Sequence, residues 1–392
     1  MVSNNTSHAQ LLPNGLGDIL PAETSKRRYI INAIMDSFAR FGCADVSPPL
    51  VEYEDSLLAA GPGAALADNT FRLMDPVTRR MLALRSDMTA QIARIASSRL
   101  AHQPRPLRLS YTGQVMRINP DPVNPERQLV QIGAELIGAS TIKHDAEVAV
   151  MALESLYQAG ITSLSIDLNV PRLLDVILHD DDSDTQTALA LRHAVSIKDS
   201  QAAGGLNHPQ ASLIKALLEM PLNAVSEMKA HIDRLDKSIS PSAQDMLNDL
   251  VDLAALISAS APYVSVTIDP LERRGFDYHQ GIGYSILASG VRGELGRGGR
   301  YQTLSPQGAA TEVSTGVTLY LERLLQAAPA LPQPDKLYLK KDQGLDIMVA
   351  LTREGYHITI GDADPNDHAA CLEEAKTCGA THIYSSQGIT TI

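Results

Sequence analysis

LVQIGAELIG, residues 129 to 138, decides how this chain is read. Strict alternation sets Val130, Ile132, Ala134 and Leu136 on one side of a strand and Gln131, Gly133 and Glu135 on the other. One apolar face is the ordinary signature of a strand lying on a core. The second face reads amide, glycine, carboxylate. Gly133 removes a side chain between two hydrogen-bonding ones, which suits the reception of a small polar molecule. The alternative is a half-exposed strand whose polar face is simply wet.

Just upstream, RLSYTGQVMRI (108–118) reads as a partner strand. Residues 11–21, LLPNGLGDILP, read as a loop punctuated by Pro and Gly. A helix is expected from about Thr24, with Ile30, Ile31, Ile34, Met35 and Phe38 at helical spacing. Residues 71–84 read as a hairpin opened by Asp75-Pro76, and Ser86-Asp87 precede a helical run through Met88, Ile92, Ile95 and Leu100. Residues 170–258 are rich in Ala and Leu with few strand signals, a helical insertion. Strands return at YVSVTID (263–269), at RGFDYHQGIGYSIL and at GVTLY, so the first sheet resumes. No regular βαβ alternation precedes residue 330, which favours antiparallel strands and an α+β fold. APALPQPDK (328–336) reads as a linker, and residues 337–392 as a small α/β unit.

Asp and Glu total 45 against 33 Lys and Arg, a formal net charge of −12. Nucleic-acid binders rely on a basic face to neutralise phosphates, and no Lys/Arg-rich block offers one here. No apolar run approaches the roughly 18 residues of a membrane span, and the N-terminus lacks a signal-peptide pattern, so a cytoplasmic protein is expected. Cys43, Cys371 and Cys378 are too few for a disulfide framework and too scattered for a zinc site, and are read as buried bystanders. No metal and no cofactor is expected.

Taken together, the pieces resemble the catalytic module of class II aminoacyl-tRNA synthetases, specifically the histidyl-tRNA synthetase family, over most of residues 10–325. LPNGLGDILP is similar to that family's P-G-x-x-D-x-x-P loop. FGCADVSPPLVEYEDSLL (41–58) resembles motif 1, around Pro48 or Pro49, and LRSDMTAQIARI (84–95) the L-R-P-E-G-T segment. RLSYTGQVMRI resembles motif 2, and QIGAELIG the Q-x-G-x-E strand. ERRGFDYHQGIGYSI (272–286) and GRGGRYQTL (296–304) are similar to the two histidine-specific stretches, and STGVTLYLERLL (314–325) to motif 3. The resemblance implies a class II synthetase-like antiparallel sheet flanked by helices over residues 1–327, carrying the insertion.

It also implies a site for free histidine. Asp87, Thr89 and Gln131 would hold the ammonium, with Arg117 near the carboxylate and Arg274 over it. Glu135 and Tyr278 would meet the imidazole. Gly298 and Gly299 would allow close backbone approach. His279 stands where the family has a second tyrosine. Each residue also has a plainer role. Ser86-Asp87 make a good helix N-cap, Arg117 fits a solvated strand arginine, and the glycines of GRGGRY fit a turn.

The nucleotide half departs from the family. Arg117 is followed by Ile118 and Asn119 where the adenine-reading glutamate is expected. Asp121 follows, flanked by Pro120 and Pro122, where the synthetases are more basic. Arg323 is kept in motif 3, but Tyr320 replaces the glycine beneath the nucleotide. That combination resembles a paralogous family, the regulatory subunits of short-form ATP phosphoribosyltransferase. It implies a non-catalytic chain with a homodimeric core that binds and activates a short catalytic subunit and senses histidine as effector, in the first step of histidine biosynthesis. The competing readings are a divergent histidyl-tRNA synthetase, another ATP-dependent amino-acid ligase, or an amino-acid-binding module with an unrelated partner.

Overall fold

The computed structural model describes residues 11–59, 63–119, 125–178, 185–221, 225–235, 239–273, 279–304, 310–331, 335–385 and 388–392. The chain divides into two compact units, Met1–Pro329 and Ala330–Ile392.

In the first unit helix α1 (Pro21–Arg40) buries Ile30, Ile34 and Phe38 at helical spacing. It starts three residues before Thr24, because Pro21 occupies the first helical turn, where no amide donor is needed. Gly42 ends it at φ +84°, and Cys43 N–H returns to Phe38 O at 3.1 Å. Strands β1 (Ala44–Asp45) and β2 (Val51–Tyr53), the one-turn helix α2 (Glu54–Leu57), and hairpin strands β3 (Arg72–Met74) and β4 (Met81–Leu84) follow. Asp75 organises the hairpin turn by accepting from Val77 N–H at 3.0 Å and Thr78 Oγ1 at 2.6 Å. Helix α3 (Thr89–Ser97) stops before Leu100.

Strands β5 (Leu107–Met116) and β6 (Gln128–Ile137) pair antiparallel over their whole length. After α4 (Ile142–Gln158) and β7 (Leu164–Asn169) come α5 (Leu173–Leu178), α6 (Gln186–Ser196), α7 (Ser200–Gly205), α8 (Ala211–Leu218), α9 (Val225–Ile232) and α10 (Pro241–Ser260). The chain then re-enters the sheet as β8 (Ser265–Ile268), parallel to β7, with Ser165 opposite Ser265. Strands β9 (His279–Ala288), β10 (Gly296–Leu304) and β11 (Ala310–Tyr320) and helix α11 (Leu321–Ala327) complete the unit.

The main sheet has eight strands in the order β1-β5-β6-β11-β10-β9-β7-β8. It is antiparallel from β5 through β7 and parallel only at its two edge pairs. One face carries Ile132, Ala134, Leu136, Val317, Leu319, Ile286, Ile166 and Leu168 into a single core with the helices. This is the α+β, synthetase-like sheet that the motifs imply. GRGGRYQTL departs from the turn reading: it is β10, an interior strand, and its glycines lie inside the sheet.

The second unit is a four-stranded sheet in the order β13-β12-β14-β15, built from β12 (Lys336–Leu339), β13 (His357–Ile360), β14 (His382–Ser385) and β15 (Gly388–Thr391), with α12 (Leu345–Arg353) and α13 (His368–Thr377). β12 runs parallel to β13 and β14, and β15 closes the edge antiparallel to β14. Sequence patterning misses β15, a four-residue edge strand without alternation. Cys43 and Cys371 are buried but Cys378 is exposed, a correction to the reading of all three as buried.

A buried polar network and the cavity beside it

The polar face of β6 is not wet. Gln131 is 0% exposed and Glu135 1% exposed. Strand pairing builds the floor around them: Tyr111 lies opposite Gly133, and Glu135 opposite Gly316. On the next strands Gly316 pairs with Gly299, and Gly299 with Gly283. Three glycines in one row therefore add no side chain of their own to the floor, and the space they leave is partly taken by Glu135 over Gly316 and by the His279 ring beside Gly299.

Asp87 and Thr89 reach this face at the start of α3. Gln131 donates through Nε2 to Asp87 Oδ2 at 2.6 Å and accepts at Oε1 from Met88 N–H at 3.0 Å. Asp87 Oδ1 accepts from Thr89 N–H at 2.9 Å, so it serves the helix start from just outside the Met88 cap position. Thr89 Oγ1 donates to Glu135 Oε1 at 3.2 Å. One Asp87 carboxylate thus supports the helix start through Oδ1 and holds Gln131 through Oδ2.

Glu135 is the centre of the network. Tyr301 donates to its Oε2 at 2.9 Å and Tyr111 to Oε1 at 3.3 Å, while Tyr111 also meets Thr318 Oγ1 at 3.0 Å. Burial pushes the Glu135 carboxyl up to about 8; the Asp87 carboxylate adds to the rise, and the Tyr301, Thr89 and Tyr111 hydroxyls oppose it. Near neutral pH this group is mostly protonated, able to donate to a bare ring nitrogen. Once ionised it accepts.

The close approach that glycines permit is used first by the chain's own rings. A Cβ on Gly133 would lie 2.3 Å from Tyr111 Cζ, and one on Gly298 2.4 Å from Tyr284 Cζ. At Gly316 the occupant is Glu135 itself, and at Gly299, φ +151°, the His279 ring lies alongside. His279 is 4% exposed. Arg274 and Tyr278 lie outside the described residues, as do Asp121 and the prolines beside it.

Arg117 is not part of the Glu135 network. It lines an adjoining cavity of about 430 Å³ with Asp167, Ser285, Arg297, Tyr320 and Arg323, a volume in the range of small-molecule sites. Its Nε donates to Ser86 O at 3.4 Å, and its guanidinium carbon sits 5.9 Å from the Tyr320 ring centroid. Tyr320 stands in the wall, as its replacement of glycine implies, yet the cavity stays open.

Arg323 is 7% exposed and has no hydrogen bond or ion pair among the described residues, whereas its neighbour Glu322 pairs with Arg27 at 3.0 Å. A buried unpaired charge is unfavourable. Arg323→Met, similar in reach but uncharged, should stabilise the unliganded protein by on the order of 1 kcal/mol, read as a higher urea midpoint. A lower midpoint would show that the guanidinium is satisfied in solution.

Tyr111, Tyr301 and Thr318 lie inside the motif-like stretches 108–118, 296–304 and 314–325, but sequence pattern alone does not single them out. Alternation places Tyr111 on the polar face, but only the register shows that it meets Glu135.

Comparison with known proteins adds three findings. A family model described as histidyl-tRNA synthetase matches residues 15–324. Proteins named ATP phosphoribosyltransferase regulatory subunit from Rhodospirillum centenum and Paramagnetospirillum magneticum are each 38% identical to this chain. The first match covers 96% of this chain and 94% of the relative, the second 98% of both. A Bacillus halodurans structure described as an ATP phosphoribosyltransferase regulatory subunit/histidyl-tRNA synthetase has a TM-score of 0.75 at 22% identity, covering 95% of this chain and 97% of its own. A Nostoc histidyl-tRNA synthetase gives 0.77 at 17%, covering 95% and 90%. The two structures share the fold.

Proposed function

Since the chain belongs to the ATP phosphoribosyltransferase regulatory subunit family, we propose that it binds a separate short catalytic subunit, raises its turnover and makes it sensitive to histidine. It is a non-catalytic regulatory subunit, acting in histidine biosynthesis. The observation that carries the effector reading is the hydrogen-bonded chain Gln131–Asp87–Thr89–Glu135, ending on the buried Glu135 carboxyl, beside a floor of glycines.

Free histidine offers an ammonium, a carboxylate and a ring with one donating and one accepting nitrogen. Asp87, Thr89 and Gln131 supply acceptors for the ammonium, and Glu135 meets the ring from the buried end. Arg117 stands on the side of the adjoining cavity, where the carboxylate would lie. Arg274, Tyr278 and His279 join this set by resemblance. Regulation requires that histidine bind two states of the complex with different affinity, or it would shift nothing.

Homodimerisation through the motif 1 region and a cytoplasmic location complete the reading. Among the described residues no helix is long and apolar enough to cross a membrane.

The deciding experiment measures product formation by the same organism's short catalytic subunit, alone, with this chain, and with added histidine. Faster turnover that histidine suppresses is expected. No effect of the chain would refute the reading, and ATP–pyrophosphate exchange dependent on histidine would then identify a divergent synthetase.

A further inference from the structure

The row of residues that begins at Glu135 does not stop at the third glycine. Gly283 pairs with Asn169, the last residue of β7, so the row reads Glu135, Gly316, Gly299, Gly283, Asn169 across five adjacent strands. In β7, Leu164, Ile166 and Leu168 face the core, which leaves Ser165, Asp167 and Asn169 on the opposite face. Asp167 on that face lines the 430 Å³ cavity. Asn169 is 4% exposed, and its Oδ1 is buried without a hydrogen-bond partner among the described residues.

An orphaned buried carbonyl is unfavourable, and native proteins rarely retain one without a use. Leucine would fill a similar volume with no such cost. Here the orphan stands at the far end of a row of glycines whose other end is the buried carboxyl of Glu135, with the His279 ring lying beside Gly299 between them.

We propose that Asn169 is a further specificity-determining contact for the effector, accepting a hydrogen bond from a ligand N–H through Oδ1. This inference rests on the histidine reading and deepens it. The contact favours a ligand with nitrogen donors over an apolar or purely anionic molecule of the same size.

The test titrates histidine calorimetrically into the full chain in complex with its catalytic subunit. Wild type, Asn169→Ala and Asn169→Asp are compared, and thermal melting checks that each variant is folded. Asn169→Ala should bind about tenfold more weakly, the worth of one hydrogen bond between uncharged partners or slightly more. Asn169→Asp keeps an acceptor oxygen and should retain binding. Blocked ligands then identify the donor: α-N,N,N-trimethylhistidine removes every N–H of the ammonium, and the two ring N-methylhistidines remove one ring N–H each. One of the three should bind wild type and Asn169→Ala alike, because the bond it could have made is already missing.

Equal histidine affinity in wild type and Asn169→Ala would overturn the proposal. So would an unchanged tenfold sensitivity with all three blocked ligands, which is the mark of a structural role. No histidine binding by wild type would instead refute the effector reading itself.

Discussion

Glu135→Ala is expected to raise the histidine concentration needed for half-inhibition of the complex by roughly tenfold or more, the worth of a hydrogen bond between uncharged partners together with the loss of the acceptor shared by three hydroxyls. No other described residue receives so many of the site's side chains: Tyr301, Thr89 and Tyr111 all donate to it, and it lies over Gly316. Removing it takes away the group that meets the ring and leaves three hydroxyls without their acceptor. Dose–response curves at fixed substrate, with parallel calorimetric titration, give the answer. Inhibition unchanged from wild type would remove Glu135 from the effector site.

Glu135→Gln separates the carboxyl's chemistry from its shape. The folded-state carboxyl ionises near 8, against an ordinary value of 4.5. Between those values the native protein holds a proton that the unfolded chain has released, so this group's contribution to stability falls as pH rises from about 4.5 to about 8. The glutamine variant lacks that slope and at pH 8 should exceed wild type by on the order of a few kcal/mol in the unliganded state. Urea unfolding at pH 5 and pH 8 measures the difference. A variant whose pH dependence matches wild type would mean that Glu135 is already ionised at pH 5.

Gly133→Ala is the second large effect expected, and it is one of stability. The added methyl would sit 2.3 Å from Tyr111 Cζ and 2.7 Å from the backbone oxygen of Val317. Tyr111 is wholly buried, tied to Glu135 and Thr318, so its ring has nowhere to withdraw without breaking both bonds. Val317 O is main chain in the adjacent strand and cannot yield cheaply. Overpacking of this kind costs about 3 kcal/mol, seen as a lower urea midpoint. Histidine affinity should fall with it, because displacing Tyr111 unseats a donor to Glu135. Wild-type stability in Gly133→Ala would mean that β5 and β6 are not held in this register.

The sequence alone determined the fold and much of the candidate site's composition. Period-two alternation in 129–138 and helical spacing in 24–38 are local signals, set by which side of an element must meet the core. The ordered motifs carried the rest of the architecture, and they grouped Asp87, Thr89, Gln131 and Glu135 into one set. The same local logic misread GRGGRY, since a glycine that fits a turn also fits the centre of a sheet when a neighbouring strand lays tyrosine or glutamate across it.

Only the tertiary structure decided what the polar face is for its own protein. Exposure is not a property of a strand but of what covers it, and α3 together with Tyr111 and Tyr301 covers this one. Register then set the rest. It made Gly133 a seat for Tyr111, aligned Gly316, Gly299 and Gly283 into one row, and put Asn169 at its far end, 34 residues from Glu135 in sequence and in the same cross-strand row of the folded sheet. No periodicity carries such information, because pairing between strands distant in the chain is fixed by the packing of the whole sheet rather than by either strand alone.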